Sequence, residues 1–440
     1  MSAIARYFME IGIEVHGYDR TRNDFTIELE NEGFIIHYEE DIGAIPPQVM
    51  GKRGMVVYTP AIPADNKEYE YLLSQKVKLH KRAEVLGLIS RQAYTIAVAG
   101  THGKTTTSSL IAHILNSCKV NFTAFLGGVS SNFHSNYFHK TDGTQLMSQS
   151  VMVVEADEFD RSFLRLSPNI AIVTSTDADH LDIYGDVAEV KKSFQDFLYC
   201  LEDNGIAIIN EKLDLHSKGE TLFYGKGGDA DALYLDVKIS GGKFSFFYQF
   251  GNFTAQVVNG LPGFHNVENA TAAITAALSL NLPLDEIVQA CASFRGVKRR
   301  FEYIVKDEKH IVIDDYAHHP EELRACINSV KKLYPDKKLT GIFQPHLYSR
   351  TRDFAEEFAE VLDTLDECWL LDIYPARELP IKGINSEYLA LKMNKMPLLI
   401  DKRDVLKRLE IEKPELLLLL GAGDIDQLAK PIKNLYEKDS

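Results

Sequence analysis

The chain has 440 residues, 45% hydrophobic and 25% charged, the balance of a soluble globular protein long enough for about three domains. A net charge of −15 works against a broad nucleic-acid surface, so any anionic ligand must be met by local clusters of Lys and Arg. Five scattered cysteines without C-x-x-C spacing argue against a disulfide frame or zinc knuckle, and no run of about twenty apolar residues supports a membrane span, so a reducing, cytoplasmic setting is expected.

Residues 1–92 alternate strand-like runs (VHGYD, MVVYTP, VKLHK) with helical patterns at Ala3–Gly12 and Asn66–Gln75, the rhythm of a small parallel sheet. The chain opens in Met1-Ser2-Ala3-Ile4-Ala5, a helix already under way with no strand or glycine turn ahead of it. Asp19 closes the first strand-like run, where a carboxylate serves either as a turn cap or as a ribose ligand.

Residues 93–300 begin with Thr95–Ser108, TIAVAGTHGKTTTS, which reads as a buried strand, a glycine turn and a helix start. Gly100 and Gly103 permit backbone angles that point several N–H groups at an anion. Lys104 then meets the β/γ-phosphate end, and the Thr105 hydroxyl is placed for Mg²⁺. Val98 departs from the general phosphate-loop pattern, leaving the shorter form Gly100-Thr101-His102-Gly103-Lys104-Thr105-Thr106. Further apolar runs (VMVVEAD, NIAIVTS, GIAIIN) read as strands covered on both faces, with ligands expected beyond their carboxyl ends. At one such end Glu155 is the candidate metal carboxylate, and at the next His180, among Asp177, Asp179 and Asp182, suggests a second, partly hydrated metal site. Downstream, Asn266 and Asn269 share one face of the first turn of an Ala-rich helix running to about Leu280; their amides suit an adenine edge, while the structural roles are N-capping for Asn266 and burial against the sheet for Asn269, and both kinds of role can hold at once.

Residues 301–440 show HIVIDDYA, KLTGIFQP, ECWLLDIYP and LLLLLGAGD as strand ends separated by helices, a second doubly wound sheet. Asp315, His318, His319, His346, Arg350 and Arg352 are expected to converge on its loops, and the arginines carry the planar fork that grips carboxylate or phosphate. Gly421-Ala422-Gly423-Asp424 reads as a structural turn or an edge of the cleft.

Nine segments in order, GTHGKTTT, GGVSSNF, EADEFDRSFL, DADHLD, GFHNVENATAA, GVKRRFE, DDYAHHP, FQPHLYSRTRDF and YPARE, together resemble the Mur ligase family of peptidoglycan synthesis over nearly the whole length. The resemblance implies an α/β fold in three domains: a Rossmann-like UDP-sugar domain (1–92), a central ATP-binding phosphate-loop domain (93–300) and a C-terminal Rossmann-like amino-acid domain (301–440). It also implies ATP- and Mg²⁺-dependent joining of L-alanine to the lactyl carboxylate of UDP-N-acetylmuramate through an acyl phosphate, by a monomer or weak homodimer with no nucleic-acid or membrane partner. A peptide-recycling ligase acting on the same UDP-sugar and a non-catalytic nucleotide-binding module are the alternatives. By this resemblance Gly100, Thr101, His102, Gly103, Lys104, Thr105, Thr106, Asn266, Asn269, Arg300 and Asp315 bind ATP. Thr105 and Glu155 take one Mg²⁺ and His180 a second, while Ser2, Asp19 and His102 touch the UDP-sugar. Lys104, His319, Arg350 and Arg352 are the catalytic set, with His319 orienting or deprotonating the amine or else capping the helix beside Pro320. The family's first strand and glycine turn have no counterpart here, which is expected to reflect either a start codon chosen too late, the favoured reading because the other motifs are intact, or loss of part of the UDP site. Leu347 replaces an Arg found in some relatives, and closure about hinges near 92 and 300 is expected to shield the acyl phosphate.

Overall fold

The computed structural model describes all residues except 52, 53, 60, 61, 64, 142–149, 178–183, 185, 377 and 438–440, and the side chains of Asp24 and Val187. Its architecture is α/β in three domains. The expected N-terminal strands form as β1 (His16–Tyr18), β2 (Ile35–His37), β3 (Val56–Tyr58) and β4 (Leu79–Lys81). They do not make one sheet: β1 pairs in parallel with β2, and β3 with β4, as two separate ladders. Each strand is three residues long and only partly buried, so neither pair presents the continuous apolar face that would draw the two together. The helix Ser2–Glu10 buries Ala3, Ile4 and Tyr7 in a cluster shared with the central domain. Arg6 fixes that docking, donating to both Glu32 oxygens at 2.7 and 2.5 Å and to Asn136 Oδ1 at 2.9 Å.

The central sheet has ten strands: β5 (Tyr94–Ala99), β6 (Phe122–Ser130), β7 (Ser135–Lys140), β8 (Val151–Glu155), β9 (Ile170–Val173), β10 (Ile206–Asn210), β11 (Glu220–Gly225), β12 (Ala232–Ser240), β13 (Lys243–Phe250) and β14 (Phe253–Asn259). Their order is β14-β13-β12-β11-β10-β9-β5-β8-β6-β7, so the strand carrying the phosphate loop lies between β8 and β9, parallel to both. Period-two alternation explains its apolar run: Ile96 and Val98 enter one core with the helices Lys104–Ser117 and Phe264–Ser279, while Ala97 and Ala99 enter the other with Phe194 and Phe197. Register then sets the chemistry. Val98 pairs with Glu155 and Ala99 with Val173, which brings the loop after β5, the carboxylate ending β8 and the turn after β9 to one rim.

The third sheet contains β15 (Glu302–Lys306), β16 (Ile311–Asp315), β17 (Leu339–Phe343), β18 (Glu367–Leu370), β19 (Leu398–Leu399) and β20 (Leu416–Leu420) in the order β15-β16-β20-β17-β18-β19. Only β15 runs antiparallel. Asp315 and Phe343 both pair with Leu420, so the loops after β16, β17 and β20 share an edge as expected. Gly421, at φ 143°, is the structural turn: its N–H donates to Asp315 O, and a Cβ there would lie 2.7 Å from Gln344 O. Among the described residues no helix is long and apolar enough to cross a membrane.

Candidate active site

The phosphate loop has the geometry that its glycines require. Gly100 and Gly103 sit at φ 138° and 84°, and a Cβ on Gly100 would fall 2.0 Å from Thr174 Oγ1, so the loop presses directly on the turn after β9. That turn holds it at several points. Thr174 Oγ1 donates to His102 O, Ser175 Oγ accepts from His102 N–H at 2.8 Å, and Thr101 Oγ1 accepts from Asp177 N–H at 3.0 Å. Thr105 and Thr106, buried, begin the helix that Gly103 caps, so unpaired N–H groups face the loop's concavity.

Lys104 folds back over the loop. Its Nζ donates to Gly100 O at 2.5 Å and to Thr101 O at 3.2 Å, and lies 2.8 and 2.7 Å from the two oxygens of Glu158. Burial alone would lower the lysine's pKa, but Glu158 with Glu155 and Asp157 outweighs it and raises the value. Burial pushes the Glu158 carboxyl up to about 7 even against the lysine's attraction. Glu158 was not singled out from sequence; the run of acids from Glu155 to Asp160 was the available signal.

Glu155 accepts a hydrogen bond from Gly127 N–H at 3.0 Å, and its charge is felt at both Lys104 and Arg300, which places it on the loop's side of the rim. Its oxygens and the Thr105 hydroxyl are hard donors of the kind Mg²⁺ accepts. Among the described residues no three His, Cys, Asp or Glu side chains gather as a closed metal cluster, and His180 lies outside those residues. The glycine cradle, helix N-terminus and buried lysine fit a nucleotide phosphate chain, and an oxygen-only pair fits a hydrated Mg²⁺ better than a protein-caged ion.

Several of the expected site residues make contacts of their own within the protein. Asn266 does not cap its helix. Gly263, at φ 112°, takes that position, and Asn266 instead donates to Pro262 O at 2.6 Å while accepting from Asn269 Nδ2 at 3.1 Å. Both amides are buried there, and Asn269 Oδ1 lies over the phosphate loop, 2.6 Å from where a Cβ of Gly103 would stand. Asp315 directs its carboxylate at the chain, accepting from Phe301 N–H and Ala317 N–H, each at 2.8 Å. It thereby braces the turn where Arg299 and Phe301 hold positive φ of 61° and 51°. Arg352 does not join Arg350: positions two apart face different sides of the helix Tyr348–Asp353. Arg350 is buried and donates to His346 Nδ1 at 3.3 Å, whereas Arg352 is half exposed and pairs with neighbouring Asp353. His319 caps the helix Pro320–Leu333, its Nδ1 accepting from Glu321 N–H at 3.4 Å. Asp19 behaves as a turn cap, accepting from Thr21 N–H at 3.0 Å, and Ser2 Oγ accepts from Asn136 Nδ2 at 3.1 Å.

A second centre joins two domains. Glu322, buried on the helix Pro320–Leu333, lies 3.1 Å from His102 Nδ1 through one oxygen, which also stands 3.4 Å from Arg300 Nη1. Its other oxygen accepts from His318 N–H at 3.0 Å. Burial would raise its pKa, but His318, His102 and Arg300 hold the carboxyl well below the usual carboxylate range. Burial likewise works to lower the His102 pKa, and Glu322 and Asp177 overcome it to raise the value. The rings of His102 and His319 lie 5.2 Å apart, and those of His318 and His346 5.9 Å apart. Arg300 stands over the Tyr316 ring at 5.0 Å, while Arg299 turns into the C-terminal domain and donates to Gly421 O at 2.6 Å. Glu322 was legible from sequence only as a first-turn helix acid.

The chain matches the family profiles for the Mur ligase family catalytic domain over residues 1–94, the Mur ligase middle domain over 98–277 and the Mur ligase glutamate ligase domain over 299–423. It is 45% identical to the UDP-N-acetylmuramate--L-alanine ligase of Flavobacterium psychrophilum, covering 98% of this chain and 95% of that one. The Porphyromonas gingivalis protein of the same name is 44% identical over 99% of this chain and 96% of its own length. Among solved structures, the UDP-N-acetylmuramate-alanine ligase of Thermotoga maritima superposes with a TM-score of 0.84 at 26% identity, covering 100% of this chain and 97% of that one. The murein peptide ligase of Psychrobacter arcticus, at 22% identity and a TM-score of 0.68 over 99% of this chain and 96% of its own, shares the fold. With a phosphate loop, three α/β domains and relatives of this identity along its whole length, the chain belongs to the Mur ligase family.

Proposed function

We propose that this chain is an ATP-dependent amide ligase joining L-alanine to the lactyl carboxylate of UDP-N-acetylmuramate, with release of ADP and phosphate. The observation that carries the reading is the 43–45% identity, over 98–100% of the chain, to relatives bearing that activity in their names. A carboxylate is a poor acylating agent at neutral pH, so its oxygen must first take the γ-phosphoryl group while ADP leaves. The amine nitrogen then bonds to the acyl carbon, phosphate departs, and the ammonium proton is lost to a base or to water.

Bringing two anions together calls for concentrated positive charge. In this reading Lys104 and the loop N–H groups hold the β/γ-phosphates and Arg300 screens the approaching carboxylate. Thr105 and Glu155 would hold Mg²⁺, which when bound supplies further neutralisation of the phosphate oxygens. Lys104 must exchange Glu158 for phosphate as ATP enters. Buried Arg350, presented beside His346, is the cation offered to the amino-acid carboxylate or the reacting groups. His319, held as a cap against the His102 ring, positions the loop rather than the amine.

The test is ADP release coupled to a panel of acceptors with UDP-N-acetylmuramate: L-alanine, glycine, L-serine and the tripeptide L-alanyl-γ-D-glutamyl-meso-diaminopimelate. L-Alanine is expected to drive turnover, and turnover with the tripeptide alone would instead assign a recycling ligase. Absence of acceptor-dependent release under saturating conditions would leave a nucleotide-binding module.

A further inference from the structure

Glu322 gathers groups from both sides of a domain boundary. On the central side is His102, a residue of the phosphate loop itself, 220 positions away in sequence. On the other side are its own helix, the His318 backbone and side chain, and Arg300 from the segment entering the third sheet. Its side chain is 11% exposed, so the ligands it has are protein groups. A buried carboxylate bonded to one domain alone would need no partner on the phosphate loop. Because Glu322 can only accept, its approach to His102 Nδ1 makes that nitrogen the protonated one and fixes the ring's orientation. The same ring stands near Asp177 Oδ2 at 3.4 Å and against the His319 ring, and its backbone N–H and C=O are tied to Ser175 and Thr174. Movement of Glu322 therefore pulls on the turn that shapes the phosphate cradle.

We propose that Glu322 is a positioning residue that clasps the phosphate loop to the C-terminal domain through His102 and Arg300, so that the loop's shape and domain closure are one coupled event. This rests on the ATP-dependent reading above, but the clasp is a mechanical claim that can be tested without turnover. A clasp has a signature that a packing residue lacks: removing either half releases the same contact, so the second removal adds nothing.

The experiment is a cycle of Glu322→Ala, His102→Ala and the double variant in the full chain, with Glu322→Gln as an isosteric control that keeps shape while removing charge. Small-angle scattering with and without a non-hydrolysable ATP analogue and Mg²⁺ reads closure. Each single variant is expected to enlarge the radius of gyration, and the double variant to match the singles. In the ADP-release assay each single is expected to lower kcat about tenfold with the ATP KM held within about twofold, and the double to fall no more than about twofold further. Glu322→Gln is expected to melt near the wild type yet lose at least about threefold in kcat. Multiplicative losses in the double variant, or an unchanged radius of gyration in Glu322→Ala, overturns the clasp. Should no acceptor support turnover in the wild type, the catalytic reading fails while the scattering series still decides this one.

Discussion

Replacing Lys104 with methionine isolates the energetics of the phosphate cradle, because the change keeps the apolar stem and deletes the Nζ that stands 2.8 and 2.7 Å from the Glu158 oxygens. Glu158 reaches about 7 with the lysine in place, burial raising it and Lys104 opposing. Without the lysine, burial is left with less opposition and the folded-state value climbs above 7. A carboxyl raised in the folded state contributes stability that is complete below its unfolded value, 4.5, and is lost as pH rises through the folded value. In the wild type that loss finishes a little above pH 7 and amounts to a few kcal/mol, at about 1.36 kcal/mol per pH unit. In Lys104→Met it continues upward. The stability gap between the two proteins is therefore expected to be nearly flat below about pH 6, to begin widening near pH 7, and above it to approach at most about 1.4 kcal/mol per pH unit until Glu158 ionises in the variant as well. The single tryptophan, Trp369, lies in the third sheet, so its fluorescence reports on another domain. Hydrogen exchange at the amides of β5 and β8, measured from pH 6 to 9, reads the opening free energy where the pair sits. A gap that stays constant between pH 7 and 9 would refute the argument.

Three further outcomes follow from the same geometry. Gly100→Ala puts a Cβ 2.0 Å from Thr174 Oγ1 and 2.9 Å from Ser175 N, so it is expected to cost about 2–4 kcal/mol and abolish binding of a fluorescent ATP analogue; Gly103→Ala, whose Cβ meets the Asn269 side-chain amide at 2.6 Å and Thr174 Cβ at an ordinary 3.5 Å but no backbone atom that close, should be milder in both readouts. Arg350→Ala is expected to lower kcat/KM at least about tenfold more than Arg352→Ala, since only the former removes a buried guanidinium; equal losses in steady-state kinetics would contradict the assignment. Chelation by EDTA is expected to stop ADP release and added Mg²⁺ to restore it, with Glu155→Gln raising the Mg²⁺ needed for half-maximal rate about tenfold; an unshifted Mg²⁺ titration would remove Glu155 from the metal site.

What the sequence made legible follows from how far apart the cooperating residues lie. The phosphate loop is a local object: glycine angles, a lysine and a helix start within a few residues are dictated by the shape of a phosphate chain, and the strand before it announces its burial by an unbroken apolar run. The carboxylate at Glu155 was legible for a similar reason, since a strand ending is visible in the sequence and register does the rest. Pairings across long stretches of chain left no such mark. Lys104 finds Glu158 at a separation of 54 residues and His102 finds Glu322 at 220, and nothing in either segment states that the other will be opposite. The same limit applies to the buried polar residues of the site. Asn266 and Asp315 have the right residue types for ligand contact, and the fold also gives them partners of their own, Pro262 O and Asn269 for the first and the Phe301 N–H for the second, which no local pattern announces. A buried polar side chain takes the partners the fold brings within reach, and for Asp315 these are backbone N–H groups at the turn that enters the third sheet. The phosphate cradle and the sheet edges carry the reaction class, while the bonds of Asn266 and Asp315 brace the turns that hold those edges together.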